Sequence, residues 1–232
     1  MTPPLSLRIG IATPMANPTV EPELRALFPQ NVNMLVTRSV AAGDSRTRLV
    51  AYFDGLEASL RSFGGLQLDA FGFACTASSY LIEPGLENQR CIELTELFGY
   101  PVLTAGQAIE QILREENVQR LAIASPYPAW IAEACSAHWT RRGFDVVAAT
   151  TAAAGMTDTR DIYALDPEAV CTRFIEDLAG GDQPRLRADA LLVTGTGLPT
   201  LPLLEPLRER LGLPVFSSNA CLAEACLQAA AC

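Results

Sequence analysis

Arg8-Ile-Gly-Ile-Ala-Thr-Pro14 returns as Arg120-Leu-Ala-Ile-Ala-Ser-Pro126, 112 residues further along the chain. Two more segments recur in the same order. Ala70-Phe-Gly-Phe-Ala-Cys-Thr76 matches Ala190-Leu-Leu-Val-Thr-Gly-Thr196 at an offset of 120, and Phe98-Gly-Tyr-Pro-Val-Leu-Thr104 matches Leu211-Gly-Leu-Pro-Val-Phe-Ser217 at an offset of 113. One such match would mean little; three in order mark a duplicated fold. Each segment is a short apolar run ending in Thr, Ser, Gly or Pro, as a buried parallel strand does where it delivers the chain to a polar loop.

Outward from these strands the spacing turns helical. The stretch 46–63 carries Leu49, Tyr52, Phe53, Leu56, Leu60 and Phe63 on one stripe, and 167–178 and 203–211 behave alike. The stretches 105–115 and 220–231 follow the last strand of each half, and further strands fit 32–37 and 145–150. Gly180-Gly-Asp-Gln-Pro184 reads as a surface turn ahead of a strand. Strands alternating with helices mean βαβ units. The expected fold is therefore α/β: two pseudo-symmetric Rossmann-like lobes, each a parallel four-stranded sheet with helices on both faces. The lobes should span residues 1–115 and 116–232, with the C-terminal helix (219–232) packing back on the first. Ligands of open α/β sheets lie beyond the carboxyl ends of the strands. Those ends, Thr13-Pro14, Cys75-Thr76, Ser125-Pro-Tyr127 and Thr194-Gly-Thr-Gly197, should converge where the lobes meet.

The 232 residues are 49% hydrophobic with a formal net charge of −9, the composition of a packed globular protein. There is no lysine, so Schiff-base chemistry, a pyridoxal phosphate anchor and a P-loop are excluded. The one histidine, His138, sits beside Trp139 and near Arg141 and Arg142, and reads as a surface residue. A zinc site would have to be nearly all cysteine, and no metal is expected. An acidic chain with no basic cluster argues against nucleic acid or anionic membrane as partner. No apolar run reaches the ~18–20 residues that span a bilayer, and Met1-Thr-Pro-Pro-Leu-Ser-Leu-Arg8 lacks a secretory pattern. A cytoplasmic location is the expectation. Seven cysteines without a C-x-x-C pair read as free thiols.

Cys75 differs from the others in position. It ends an apolar strand and precedes Thr-Ala-Ser-Ser-Tyr80, which can open a helix. A thiol at such a junction feels the helix dipole and unpaired N–H groups, both of which favour thiolate. The competing reading, a small buried core residue, suits Cys91, Cys135, Cys171, Cys221, Cys226 and the terminal Cys232.

Together these motifs resemble the Asp/Glu racemase superfamily, in the branch that holds maleate cis-trans isomerases and arylmalonate decarboxylases. The resemblance rests on Thr13-Pro-Met-Ala-Asn-Pro-Thr-Val-Glu-Pro-Glu23, Ala74-Cys-Thr76, Ser125-Pro-Tyr127, Thr194-Gly-Thr-Gly-Leu-Pro-Thr200 and Pro214-Val-Phe-Ser-Ser-Asn219, in order along almost the whole chain. It implies a cofactor-independent active site between two α/β lobes and a possible homo-oligomer. Racemases of the superfamily use one cysteine from each lobe; here the first position holds Cys75 and its repeat partner is Gly195, so symmetric two-thiol racemisation is not expected. Maleate isomerases use the first-lobe cysteine as nucleophile, whereas the decarboxylases have glycine there and a proton-donating cysteine in the second lobe. The expected function is cis-trans isomerisation of a small unsaturated dicarboxylate. Decarboxylation of a substituted malonate with Cys75 as proton donor, or carboxylate binding without chemistry, are the alternatives.

By the same resemblance Cys75, Thr76 and Tyr127 are catalytic. Pro14, Asn17, Ser78, Gly195, Thr196, Gly197 and Asn219 hold substrate, with the Gly195–Gly197 backbone offering N–H groups to an oxyanion. An ordinary turn, a core tyrosine and a loop asparagine are the structural alternatives for 195–197, Tyr127 and Asn17. Position 77 is Ala where the family more often has a hydroxyl. Thr196, Ser78 or water would have to serve as any second proton relay. Arg38 and Arg160 are further candidates for clamping a carboxylate.

Overall fold

The structure, a computed structural model, describes residues 7–153, 155–179 and 186–231. The 180–184 turn and Cys232 lie outside these residues. The first half contains β1 (Leu7–Pro14), α1 (Val20–Leu27), β2 (Val32–Ser39), α2 (Ser45–Asp54), α3 (Leu56–Arg61), β3 (Ala70–Phe73), α4 (Thr76–Leu81), α5 (Pro84–Phe98), β4 (Val102–Thr104) and α6 (Ala105–Glu115). The second contains β5 (Arg120–Ser125), α7 (Ala129–Arg141), β6 (Asp145–Thr151), a 3-10 turn (Thr159–Ala164), α8 (Pro167–Ala179), β7 (Ala190–Val193), α9 (Leu201–Leu211), β8 (Val215–Ser217) and α10 (Ser218–Ala230). The stripe over 46–63 is two helices rather than one. The chain breaks at Gly55, where the backbone leaves helical angles (φ −81°, ψ 6°).

Both sheets are wholly parallel, in the orders β2-β1-β3-β4 and β6-β5-β7-β8. The repeat extends to the register: Ile9 pairs with Ala70 as Leu121 pairs with Ala190, and Phe71 pairs with Val102 as Leu191 pairs with Val215. Even the strand entries match, because Asp69 Oδ2 accepts the Arg8 N–H at 2.6 Å and Asp189 Oδ2 the Arg120 N–H at 2.7 Å. The copies part at the edge, where β5–β6 has a bulge after Leu121 that β1–β2 lacks.

Helices cover both faces of each sheet. Ile9 and Ile11 of β1 pack with Val20 and Leu24 of α1 and with Leu222 and Cys226 of α10, so the last helix lies against the first sheet. Ala122, Leu191 and Val193 face α8 and α9 through Phe174, Leu203 and Leu207. The largest cluster joins the halves, running from Phe71, Phe73 and Leu94 to Ile123, Cys135 and Trp139. A core continuous through both sheets fixes how the strand ends face one another. Among the described residues no helix is long and apolar enough to cross a membrane.

Candidate active site

The carboxyl ends of β1, β3, β5 and β7 meet around a cavity of about 30 Å³, room for about two water molecules. Of the residues singled out from the sequence, Pro14, Asn17, Cys75, Tyr127, Thr196 and Gly197 line it. Thr76, Ser78, Gly195 and Asn219 stand behind this wall.

Cys75 occupies the residue before α4 and is 3% exposed. Ser78 Oγ lies 3.1 Å from its Sγ and 2.7 Å from the Leu49 carbonyl oxygen. A hydroxyl has one proton, so Ser78 donates either to Leu49 or to the sulfur. Burial pushes the Cys75 thiol up from its ordinary value, against the smaller opposing pull of Ser78 and of the Ser78 and Ala77 N–H groups. The junction does supply the donors that its position suggested. Desolvation outweighs them, and the resting sulfur is a neutral thiol rather than a thiolate. Beside it, Thr76 Oγ1 and Tyr127 Oη are 2.9 Å apart and both fully enclosed, one from each half.

The second-half counterpart is built differently. Gly195 has φ +103°, a left-handed conformation that side chains rarely adopt, and its N–H donates to Ser218 Oγ at 3.1 Å. That N–H is therefore withdrawn from the cavity. A Cβ placed there would lie 2.6 Å from Pro126 Cγ and 3.5 Å from Tyr127 Cζ. Thr196 and Gly197 line the cavity, and their backbone N–H groups have no acceptor among the described residues. The Thr196 hydroxyl donates to the Ala74 carbonyl at 2.9 Å, tying the two strand ends together, so its proton is committed elsewhere than to a relay.

Asn17 is buried, and its Oδ1 accepts the Thr19 and Val20 N–H groups at 2.9 and 3.3 Å. That fixes the amide and leaves its NH₂ as the remaining donor at the cavity. Arg38 reaches the back of the same turn, donating to the Asn17 carbonyl at 2.7 Å and pairing with Glu21; it does not line the cavity. Asn219 also sits away from the cavity. Its Nδ2 donates to Glu23 Oε2 at 2.7 Å and to the Thr196 carbonyl at 3.2 Å, because α10 turns this residue toward α1. Glu23 in turn accepts the N–H groups of Thr200 and Leu201 at the start of α9, and the Thr200 hydroxyl.

Of the fourth wall only Arg160 was read from the sequence, as a candidate to clamp a carboxylate, and it does line the cavity. The 3-10 turn brings Thr159, Arg160, Ile162 and Tyr163 over the strand ends, and α2 adds Arg48, Leu49 and Tyr52. Arg48, 3% exposed, donates to the Gly43 carbonyl at 2.7 Å, to Ser45 Oγ at 3.2 Å and to Asp158 Oδ1 at 2.6 Å. Asp158 also receives Arg160 through Nε at 3.1 Å and NH2 at 2.8 Å, and these partners hold its carboxyl far below the usual range. Gly197 leaves room for this cover: a Cβ there would lie 2.6 Å from Tyr163 Cε1. The spacing Ser45, Arg48, Leu49, Tyr52 on one helical face was the available signal.

His138 is fully buried, contrary to its expected surface position. It lies on the α7 face marked by Ile131, Cys135 and Trp139, stacked edge-on against Tyr80, and its Nε2 accepts the Arg142 Nε–H at 2.9 Å. Burial and the Arg142 charge lower its pKa to about 3, so it stays neutral. Arg142 is locked between Glu87 and Glu110 of the first half. The six described cysteines are all free and buried.

A family profile described as arylmalonate decarboxylase matches residues 9–231. A maleate isomerase from Geobacillus stearothermophilus is 21% identical over 225 residues, covering 91% of this chain and 86% of that protein. Among solved structures, a variant of Nocardia farcinica maleate cis-trans isomerase with a covalently bound succinylcysteine intermediate superimposes with a TM-score of 0.83. The two are 23% identical, and the match covers 96% and 92% of the two chains. A maleate isomerase variant from Pseudomonas putida S16 with maleate gives a TM-score of 0.85 at 18% identity, covering 96% and 91%.

Proposed function

This chain belongs to the arylmalonate decarboxylase family, and from that premise we propose that it is a cofactor-independent, cysteine-dependent cis-trans isomerase of a small, maleate-like dicarboxylate. The observation that carries the proposal is Cys75 in the wall of a cavity also lined by Asn17, whose amide NH₂ is free of the turn's own hydrogen bonds, and by Thr196 and Gly197. In this reading the sulfur bonds to one alkene carbon and the π electrons pass into the adjacent carboxylate. The enediolate so formed is held by N–H and O–H donors in a dry site, usually the largest single catalytic term. Rotation about the resulting single bond and expulsion of the sulfur give the trans acid. Among the described residues the cavity lining contains no carboxylate or imidazole; in this reading the substrate's own carboxylate takes the thiol proton and returns it to the sulfur on expulsion.

One observation favours a second reading. A buried thiol raised above its ordinary pKa is better kept as an acid than as a nucleophile. It would suit protonation of the enediolate left when a substituted malonate loses carbon dioxide. Proton NMR in heavy water, with maleate and with phenylmalonate, separates the two. Fumarate formed by the wild type and not by Cys75→Ala supports isomerisation; deuterated phenylacetate moves the assignment to decarboxylation. Silence with both substrates overturns each.

A further inference from the structure

Two arginines line the cavity, and their shared counter-ion does not. Arg48 comes from α2 of the first half and Arg160 from the cover of the second; both line the cavity, and both are bound to Asp158, which does not. Arg48 is almost wholly enclosed, while the Arg160 side chain is half exposed. Two cations on one carboxylate leave a net positive charge at the wall, and guanidinium groups bind a carboxylate through paired, charge-assisted hydrogen bonds. Asp161, the next acid along the cover, is exposed to water and also lies off the cavity. Tyr52, in the same wall, is raised by burial and by Cys75, yet is pulled down by both Arg48 and Arg160, so both charges are felt inside the site.

We infer that Arg48 and Arg160 together read the second carboxylate of the ligand, making the site selective for dicarboxylates over monocarboxylates of the same size. The inference rests on the reading of this cavity as the substrate site. A carboxylate gripped from α2 and from the cover at once also fastens the cover to the first half. That adds to the Arg48–Asp158 pair and to the 3.0 Å bond from the Thr159 N–H to Ser45 Oγ.

Calorimetric binding of succinate and of its monoamide, succinamate, tests this without turnover, since neither has a double bond. Loss of isomerase activity and loss of selectivity are therefore separate results. The wild type is expected to prefer succinate at least roughly tenfold. Arg160→Gln, at an exposed side chain that leaves the core intact, should reduce that preference several-fold while leaving succinamate affinity unchanged. Arg48→Gln should act in the same direction, and its fold is checked by circular dichroism. Equal wild-type affinities, equal losses for both ligands, or no binding of either by the wild type would overturn the inference.

Discussion

Pro126 occupies the space that a side chain on Gly195 would need: a Cβ there falls 2.6 Å from Pro126 Cγ and 2.9 Å from its Cδ. The position that mirrors Cys75 in the repeat thus holds glycine, with no room left for a side chain. The left-handed φ of +103° makes any L side chain costly there as well.

Installing a second thiol there should therefore fail. Gly195→Cys is expected to lower stability by roughly 2–4 kcal/mol, from backbone strain plus overpacking, and to confer no racemase activity. Urea denaturation measures the first. Solvent-deuterium exchange at the α-carbon of aspartate measures the second, and any exchange above background would contradict the steric argument.

The pH profile separates the two chemistries by sign. With the Cys75 pKa above its ordinary value, a nucleophilic sulfur gains activity as pH rises toward that pKa; an acid loses activity as pH rises through it. Ser78→Ala removes a group that favours the thiolate, so either profile should shift to higher pH. A shift to lower pH would show that Ser78 acts mainly on Leu49.

His138 imposes a distinct pH dependence on stability. Folded, it remains neutral down to about pH 3; unfolded, it gains a proton below about 6.5. The unfolded state thus binds more protons in that window, and stability falls as pH drops, by about 1.4 kcal/mol per unit. His138→Gln keeps an acceptor for Arg142 and removes the titration, so its stability should be nearly flat between pH 6.5 and 5. Parallel urea midpoints for the two proteins across that range would refute it.

Glu23 should matter to stability more than a surface acid does. Glu23→Ala strands the N–H groups of Thr200 and Leu201 at a buried helix start and is expected to cost roughly 2–4 kcal/mol. Glu23→Gln, which keeps an acceptor, should cost about 1. Thermal melts of both variants check the ranking.

The frame was legible because parallel strands buried on both faces must be apolar and must end in polar turns. The Arg8 and Arg120 segments therefore announced matching strands, and the structure gives them matching registers. Cys75, Asn17, Tyr127 and Thr196 were legible at the cavity because they lie at or just beyond those strand ends. His138 and Arg48 were not, since each is a polar residue on a helical stripe covered from the other half, His138 by the Tyr80 ring and Arg48 by Asp158, and periodicity along one helix does not reveal what faces it. Asn219 shows the converse. Its motif marked it for the ligand, yet one helical turn decides whether an amide meets a cavity or Glu23. The neutral state of Cys75 also escaped, because a strand-to-helix junction specifies donors while the depth of burial depends on the whole fold.

The three clasps across the halves bear on how the molecule can be divided. Glu23 on the start of α9, Arg48 on Asp158 and Arg142 on Glu87 and Glu110 each join a charge in one half to its partner in the other. A polypeptide cut between α6 and β5 would give fragments that each carry orphaned ions and bare apolar faces. Such fragments should be insoluble apart and should reconstitute when co-expressed, as obligate complements rather than autonomous modules; a half that stays soluble and folded by itself would contradict this.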